Sequence, residues 1–356
     1  MTRSAWNAGR DLVCEAGDGV ELAVRDHGGA GTAVLLLHGA GRTLMDWERV
    51  APLLAAGHRV LAMDLRGHGR SGDGAVPWTF EVAVEDVRAV LTACGTPRAV
   101  VVGHSLGGMV AVRCLEALAD AVPAAVNLDG HGMGRPEQYV GLDPEWVRER
   151  LAEARQFAEE AGGRPFDSAA LAGVIGYQTG MADELGIPAD VMEAGVRRSL
   201  AEAGDGQLFL RPGRQQAREL QEAMAGIDLF GRYRNVSRPL LIARALRPNP
   251  PVPGVPSWFD DLMAAYTEGL RRDLAELART HPYVTVAGVD ATHAMVLERP
   301  AEIADLVATF AAGAVNGCAG DGTWGSDRTG PSAGTARTGL PGGPGDVPRR
   351  RGGPAR

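Results

Sequence analysis

Residues 99–108 read AVVVGHSLGG, and this short stretch indicates the fold of the whole chain. Its small β-branched residues predict a buried strand, and the apolar spacing over 109–119 predicts a helix. Between them lies Gly-x-Ser-x-Gly, with Ser105 at the centre. We expect a turn so tight that Gly103 and Gly107 must lack side chains. A strand, a sharp turn and a helix in this order predict a serine hydroxyl exposed at the top of a sheet.

Three further motifs accompany this turn. HGAG at 38–41 follows a wholly apolar strand, DLRGHGRS at 64–71 follows the next strand, and ATH at 291–293 lies near the end. With these motifs the chain, over residues 11–312, resembles the α/β-hydrolase superfamily of esterases, lipases and C–C hydrolases. The resemblance implies an α/β fold with a mostly parallel eight-stranded sheet, helices on both faces and a helical cap after the sixth strand. It also identifies the serine turn as a nucleophile elbow.

Composition and pattern predict how the chain divides. Residues 1–132 are expected to form the first part of the hydrolase core, and 236–312 the second part. Between them, 133–235 shows helical patterns and no strand pattern, as expected of a cap, or lid, that covers the site. Residues 313–356 are rich in Gly, Pro and Arg and poor in apolar residues. This composition predicts a disordered tail, because little apolar burial would offset the entropy of ordering.

A serine hydroxyl is a weak nucleophile near neutral pH, so Ser105 needs an imidazole base. His293 follows the last predicted strand, as the serine, acid, histidine order of the superfamily implies; His131 is the competing candidate. The amide of Leu106, at the start of the predicted helix, is expected to stabilise an oxyanion. The resemblance implies Ala40 as the second amide donor of this oxyanion hole.

Two regions offer an acid to hold the histidine. Asp129 follows the sixth predicted strand and keeps the expected chain order, at the sheet edge where open α/β sheets place their chemistry. Many members of the superfamily place the acid after the next strand, but residues 244–251 contain no carboxylate. Asp260 and Asp261 are the first acids beyond that loop. We assign Asp129, with Asp260, Asp261 or no acid at all as the alternatives.

Bulk properties limit the classes of partner. The formal net charge of -8 argues against nucleic acid and anionic membranes, and no apolar run is long enough for a signal peptide or a membrane span. The four cysteines show no CxxC pair and no zinc-ligand spacing, which fits a reducing compartment; Cys94 and Cys114 are interpreted as buried hydrophobic residues. We expect a soluble, cytoplasmic monomer or homodimer that binds a small molecule and needs no metal or organic cofactor.

The resulting hypothesis is a serine-dependent hydrolase that cleaves a small-molecule ester, or a similar acyl substrate, through an acyl-enzyme. A C–C bond hydrolase or a haloperoxidase-like enzyme of the same fold is the first alternative. The second is a weakly catalytic ligand sensor that signals through movement of its lid. Serine at position 105 argues against epoxide and haloalkane hydrolysis, which need a carboxylate nucleophile in this fold. The sequence does not identify the substrate, because the lid shapes the pocket.

Overall fold

One eight-stranded sheet organises the fold. The computed structural model describes residues 9–250 and 256–317; the first eight residues and most of the predicted tail lie outside this part. The described residues form ten strands: β1 (Arg10–Glu15), β2 (Glu21–Gly28), β3 (Ala33–Leu37), β4 (Arg59–Met63), β5 (Ala99–His104), β6 (Ala125–Leu128), β7 (Leu200–Glu202), β8 (Leu208–Leu210), β9 (Leu240–Ala245) and β10 (Val284–Val289). The large sheet has the order β1-β2-β4-β3-β5-β6-β9-β10.

The direction of the strands confirms the expected mostly parallel sheet. The hairpin β1–β2 pairs antiparallel at one edge and continues antiparallel onto β4, whereas β4, β3, β5, β6, β9 and β10 are mutually parallel. Every residue of β3 and β5 is buried. Alternate residues enter different apolar clusters: Leu35 and Val101 lie in one, Leu36 and Val102 in the other. Cover on both faces explains why these strands are apolar without alternation.

Helices cover both faces of the sheet and fill the long connection after β6. They are α1 (Ala51–Leu54), α2 (Phe80–Ala93), α3 (Leu106–Ala117), α4 (Pro144–Ala161), α5 (Leu171–Glu184), α6 (Ala189–Ser199), α7 (Arg214–Gly226), α8 (Leu229–Tyr233), α9 (Trp258–Thr280), α10 (Met295–Glu298) and α11 (Pro300–Gly317). Within the described ranges, none of these helices has the length and apolar character needed to cross a membrane.

The last helix is longer than the sequence predicted. It continues to Gly317, whereas the tail was predicted to begin at residue 313. Ala311 and Ala314 are fully buried and belong to the apolar cluster that contains Leu36 of β3 and Val102 of β5. Burial of these small side chains keeps the helix on the sheet past the first glycine of the tail. Residues 318–356 lie outside the described part, so their predicted disorder stays a prediction.

The helical insertion, residues 133–235, contains a feature that the sequence patterns did not show. Besides α4 to α8 it holds a short antiparallel hairpin of β7 and β8, so the expectation of a purely helical segment is wrong. Helix α6 ends at Ser199, directly before β7. Gly206 adopts a φ of 83°, and the amide of Ala203 donates to the carbonyl of Gln207, which closes the hairpin turn. Three-residue strands are too short for an alternating pattern to be recognised.

Strand register sets the position of the site. His104 pairs with Leu128 at the ends of β5 and β6, and Leu128 pairs with Ala243 in β9. The residues that follow β5 and β6 are Ser105 and Asp129, and the amide of Ser105 donates to the carbonyl of Leu128 at 2.9 Å. The sheet therefore presents both residues side by side at the carboxyl edge of its parallel strands.

Candidate active site

Ser105 occupies a strained turn between β5 and α3. Its φ of 53° and ψ of -119° lie in a region that residues with a side chain rarely adopt. A Cβ at Gly103 would lie 1.9 Å from the carbonyl oxygen of Gly107, and one at Gly107 would lie 2.3 Å from that of Leu37. These close approaches explain why both flanking positions are glycine. The turn leaves Ser105 partly exposed while its neighbours are buried.

The loop after β3 lies against this turn. The amide of Gly107 donates to the carbonyl of His38 at 3.1 Å, and a Cβ at Gly39 would lie 3.2 Å from the Cβ of Ser105. Leu106 is the first residue of α3, where amides have no acceptor within the helix. Ala40, in the neighbouring loop, is exposed. The segments that carry the two expected oxyanion donors are therefore adjacent, and the donor roles themselves stay predictions.

His38 shapes the loop. Its Nδ1 donates to the carbonyl of Gly39 at 2.7 Å, and its Nε2 accepts from the amide of Leu65 at 2.9 Å. This pattern requires a neutral imidazole with its proton on Nδ1. Burial lowers the pKa of His38 to about 4, in agreement with a neutral ring. His38 thus holds the strand ends of β3 and β4 together.

Asp129 and His293 form a direct hydrogen bond. Nδ1 of His293 donates to Oδ2 of Asp129 at 2.7 Å, and the amide of Ala245 donates to Oδ1 at 2.9 Å. Burial disfavours the ionised carboxylate, but the bond from His293, the proximity of two imidazoles and the Ala245 amide outweigh it and lower the pKa of Asp129 well below its usual range. Asp129 also has a positive φ, 54°, which turns the chain at the end of β6. An ionised carboxylate therefore orients the ring of His293.

Two contacts that sequence reasoning missed hold the His293 loop beside the elbow. Nε2 of His104 donates to the carbonyl of His293 at 2.7 Å, and the two rings lie 4.8 Å apart between centroids. The amide of His293 donates to Oδ1 of Asn249 at 3.0 Å. Burial and the nearby His293 lower the pKa of His104 to about 4, so it serves as a neutral donor. Asn249 carried no sequence signal, because its role depends on the folding of a proline-rich loop.

The competing candidates lie elsewhere or lack the contact. Asp260 and Asp261 are exposed in the first turn of α9, and within the described ranges neither carboxylate bonds to an imidazole. His131 is buried beside the acid, with Nε2 at 3.8 Å from Oδ1 of Asp129, beyond hydrogen-bond distance. Burial lowers the pKa of His131 to about 4. The structure thus bonds Asp129 to His293, whereas His131 lies near the other carboxylate oxygen without a hydrogen bond to it.

The helical insertion packs against two of the loops that carry the site. Around α5 and α6, Ala182, Ile187, Val191 and Met192 form an apolar cluster with Leu297, against which Ala294 packs. Arg198 of α6 donates from Nε to Oδ2 of Asp64 at 2.8 Å, and both side chains are buried. A Cβ at Gly195 would lie 4.0 Å from Oγ1 of Thr43. Helix α6 therefore lies across the loop after β3 and beside the residue that follows His293.

The side chains at this edge suit proton transfer and nucleophilic attack. In the residues that the structure describes, no group of three or more His, Cys, Asp or Glu side chains could hold a metal ion. The site holds a serine in a strained, partly exposed turn, an imidazole in the loop held beside that turn and an ionised carboxylate bonded to the imidazole. These are the groups that can activate a hydroxyl for nucleophilic attack.

Comparison with known sequences identifies the family. Residues 34–306 match the alpha/beta hydrolase family. Lipase LipV of Mycobacterium tuberculosis is 40% identical over 131 residues, which are 36% of this chain and 46% of the lipase. Fluoroacetate dehalogenase of a Burkholderia species is 39% identical over 107 residues, 29% of this chain and 35% of that enzyme. The chain thus spans less than half the length of these relatives.

Comparison with solved structures extends over most of the chain. E-2-(acetamidomethylene)succinate hydrolase has a TM-score of 0.62 and 21% identity, covering 85% of this chain and 98% of that one. A thioesterase domain from the curacin biosynthetic pathway has a TM-score of 0.60 and 15% identity, covering 85% and 99%. At these identities the likeness shows the fold alone.

Proposed function

Because the chain belongs to the alpha/beta hydrolase family, we propose that it hydrolyses a small-molecule carboxylic ester, or a similar acyl compound, through an acyl-enzyme on Ser105. The observation that carries the proposal is the 2.7 Å bond from His293 to Asp129 in a loop held directly beside the serine turn. Family membership alone supports a hydrolase. That the substrate is a carboxylic ester, and that these residues have the roles given below, is what we propose beyond family membership.

In the proposed reaction, Ser105 Oγ attacks the carbonyl carbon of the substrate while His293 accepts the hydroxyl proton. The ionised Asp129 holds the imidazole in the required tautomer and stabilises the imidazolium that forms. The amides of Ala40 and Leu106 stabilise the oxyanion of the tetrahedral intermediate, a contribution of roughly 3–4 kcal/mol for each donor. His293 then gives its proton to the leaving alcohol, and a water molecule activated by His293 releases the acid.

Serine at the elbow also separates this proposal from the reactions named for some relatives. The dehalogenase and epoxide hydrolase B of Mycobacterium tuberculosis, 37% identical over 126 residues, bear names of reactions that need a carboxylate nucleophile in this fold. Position 105 supplies a hydroxyl instead. A second candidate is C–C bond hydrolysis, since a 2-hydroxy-6-oxononadienedioate/2-hydroxy-6-oxononatrienedioate hydrolase of Paraburkholderia xenovorans is 34% identical over 144 residues.

We also propose that the insertion, residues 133–235, acts as the cap that selects the substrate. Its support is the packing of α5 and α6 against Ala294 and Leu297, next to His293, together with the buried pair of Arg198 and Asp64. A layer in this position excludes water and shapes the space above the nucleophile. Within this proposal the substrate is a small molecule, and the state of the chain as monomer or homodimer stays a prediction.

The test is labelling with a fluorophosphonate, followed by peptide mapping and by assays with p-nitrophenyl esters of increasing acyl length. We expect one label, on Ser105, and a burst of p-nitrophenol. Ser105→Ala should lose both, whereas Ser257→Ala, at an exposed serine before α9, should keep both. Cleavage of dienedioate C–C bonds without ester turnover would favour the second candidate. Tight ligand binding with turnover near zero in the wild type would favour the ligand sensor, and label on another serine would refute the assignment.

A further inference from the structure

Two cysteines that are distant in sequence touch at the far edge of the sheet. Sγ of Cys14 lies 3.7 Å from Sγ of Cys94, and the two residues are separated by 80 positions in the chain. Cys14 lies in the edge strand β1, opposite Leu22, and only 5% of it is exposed. Cys94 caps the carboxyl end of α2 and is half-buried. The two sulfurs are therefore in van der Waals contact, and formation of a bond of about 2.05 Å needs an approach of less than 2 Å.

The surroundings of the two thiols favour reaction with each other. Contact with Cys94 lowers the pKa of the Cys14 thiol, although burial opposes this, and it raises the pKa of Cys94. Cys14 is therefore the thiol that loses its proton more readily, and a thiolate is the reactive form. On the solvent side, a Cβ at Gly95 would meet no heavy atom within 4 Å, so the end of α2 is open to a small oxidant. Cys114 differs, because it is fully buried in α3 and burial raises its pKa.

We propose that Cys14 and Cys94 are a modification site, at which an oxidant forms a reversible disulfide between β1 and the end of α2. With a peroxide, the Cys14 thiolate attacks one peroxide oxygen, the O–O bond breaks, and Cys14 becomes a sulfenic acid while one water is released. The sulfur of Cys94 then attacks the sulfenic sulfur, the S–O bond breaks, and the second water carries away the Cys94 proton. Two thiols and one peroxide thus give one disulfide and two waters.

This disulfide would stabilise the edge of the sheet formed by β1 rather than change the candidate active site. Among the described strands, β1 pairs on one side only, with β2, and helix α2 packs behind it. A bridge over 80 positions closes a loop that contains β1 to β4 and α2, which restricts the unfolded chain strongly. In a reducing compartment such a bond is transient, so the oxidised form should be cleaved again by a dithiol.

The experiment treats the full chain with one to ten equivalents of hydrogen peroxide. Free thiols are then alkylated, and the unreduced digest is analysed by mass spectrometry. We expect a linked pair of peptides holding Cys14 and Cys94, about 2 Da lighter than the two together, and a rise in Tm of several °C. Dithiothreitol should reverse both changes. Cys318→Ser should behave as the wild type, whereas Cys94→Ser should lose the link and the rise in Tm.

The peptide map and the Tm do not depend on ester hydrolysis. A failure of this proposal can therefore be distinguished from a failure of the proposed function. Retention of two free thiols at positions 14 and 94 under ten equivalents of oxidant would overturn the proposal. Links that join Cys318, or that join two chains, would overturn it as well. Should Cys94→Ser fail to fold, the peptide map of the wild type and of Cys318→Ser decides the matter alone.

Discussion

The carboxyl edge of the sheet and the helical insertion differ in how tightly their residues are held. At the sheet edge, hydrogen bonds of 2.7–3.0 Å link Asp129, His293, His104 and Asn249, above strands that are almost wholly buried. In the insertion, α5 buries only Ala182 among its described residues. The large apolar side chains of Phe157, Tyr177 and Met181 are exposed. Under the proposed function, this difference would fix the reacting groups in advance and leave the proposed cap able to adapt to a substrate.

The two regions meet at a polar junction whose side chains are held by buried hydrogen bonds, as the side chains at the sheet edge are. Asp64 is wholly buried and accepts hydrogen bonds from the amides of Leu44 and Arg70 and from the side chain of Arg198. Helix α6 is therefore anchored, and α5, which packs on α6, is the freer element. We expect substitutions at the edge to change the rate of reaction, and substitutions in the insertion to change substrate preference.

The largest expected effect is that of Ser105→Ala. Because the hydroxyl is the proposed nucleophile, kcat/KM for a p-nitrophenyl ester should fall by about 10⁵-fold or more. Binding of a non-hydrolysable substrate analogue should change less than about threefold, since under the proposal the insertion supplies most of the contacts to the substrate. Equal losses in turnover and analogue binding would contradict the expected division of roles, with reaction at the sheet edge and substrate binding by the insertion. Calorimetry and steady-state kinetics on the same preparation make the comparison.

Asp129→Asn should have the next largest effect. It removes the charge that orients and stabilises the His293 ring, so kcat should fall by about 10³–10⁴-fold with little change in KM. The matched control is Asp260→Asn, at an exposed carboxylate on α9, which should stay within about twofold of the wild type. Activity of Asp129→Asn within a few fold of wild type would show that the acid lies elsewhere.

Mild acid should destabilise the sheet region. Burial lowers the pKa of His38, His104 and His131 to about 4 and that of His68 to about 3, and no histidine occurs in residues 133–235. The unfolded chain binds protons at these imidazoles near pH 6.5, whereas the native state does so only near pH 3–4. The free energy of unfolding should therefore fall as the pH decreases from about 6.5 to 4, by up to about 3 kcal/mol for each imidazole.

Urea denaturation at a series of pH values measures this slope. His68→Gln should reduce the slope by about one proton, because one fewer imidazole titrates on unfolding. A free energy of unfolding that is independent of pH over this interval would show that these imidazoles are not shielded from protons in the native state.

Arg198→Met should have a smaller effect, confined to stability and to the placement of α6. It leaves the buried Asp64 carboxylate with two amide donors and no cation, so the free energy of unfolding should fall by about 3 kcal/mol. The neighbouring Arg197, whose side chain is 56% exposed and pairs with Glu193, provides the control. Arg197→Met should cost less than about 0.5 kcal/mol. Equal losses in the two variants, measured by chemical denaturation, would show that the junction does not anchor the insertion.

The serine turn shows how far sequence reasoning could reach. Its glycines are required because a Cβ at Gly103 or Gly107 would lie only about 2 Å from a backbone carbonyl oxygen, and this local requirement is visible as a spacing in the chain. The eight-stranded sheet was implied by the resemblance to the α/β-hydrolase superfamily, whose motifs follow apolar strands along the chain. The hairpin β7–β8 was missed, since three residues per strand carry too little pattern.

The sequence by itself determined the fold, through motifs that resemble a known family, together with the tight serine turn and a short set of candidates for the proposed roles, because these motifs depend on neighbours along the chain. Only the tertiary structure decided that Asp129 rather than Asp260 meets His293, and that Cys14 touches Cys94. Those pairs are separated by 164 and 80 positions, and their contact depends on strand order and loop path. Residues brought together by the closure of long loops leave no periodic trace in the sequence.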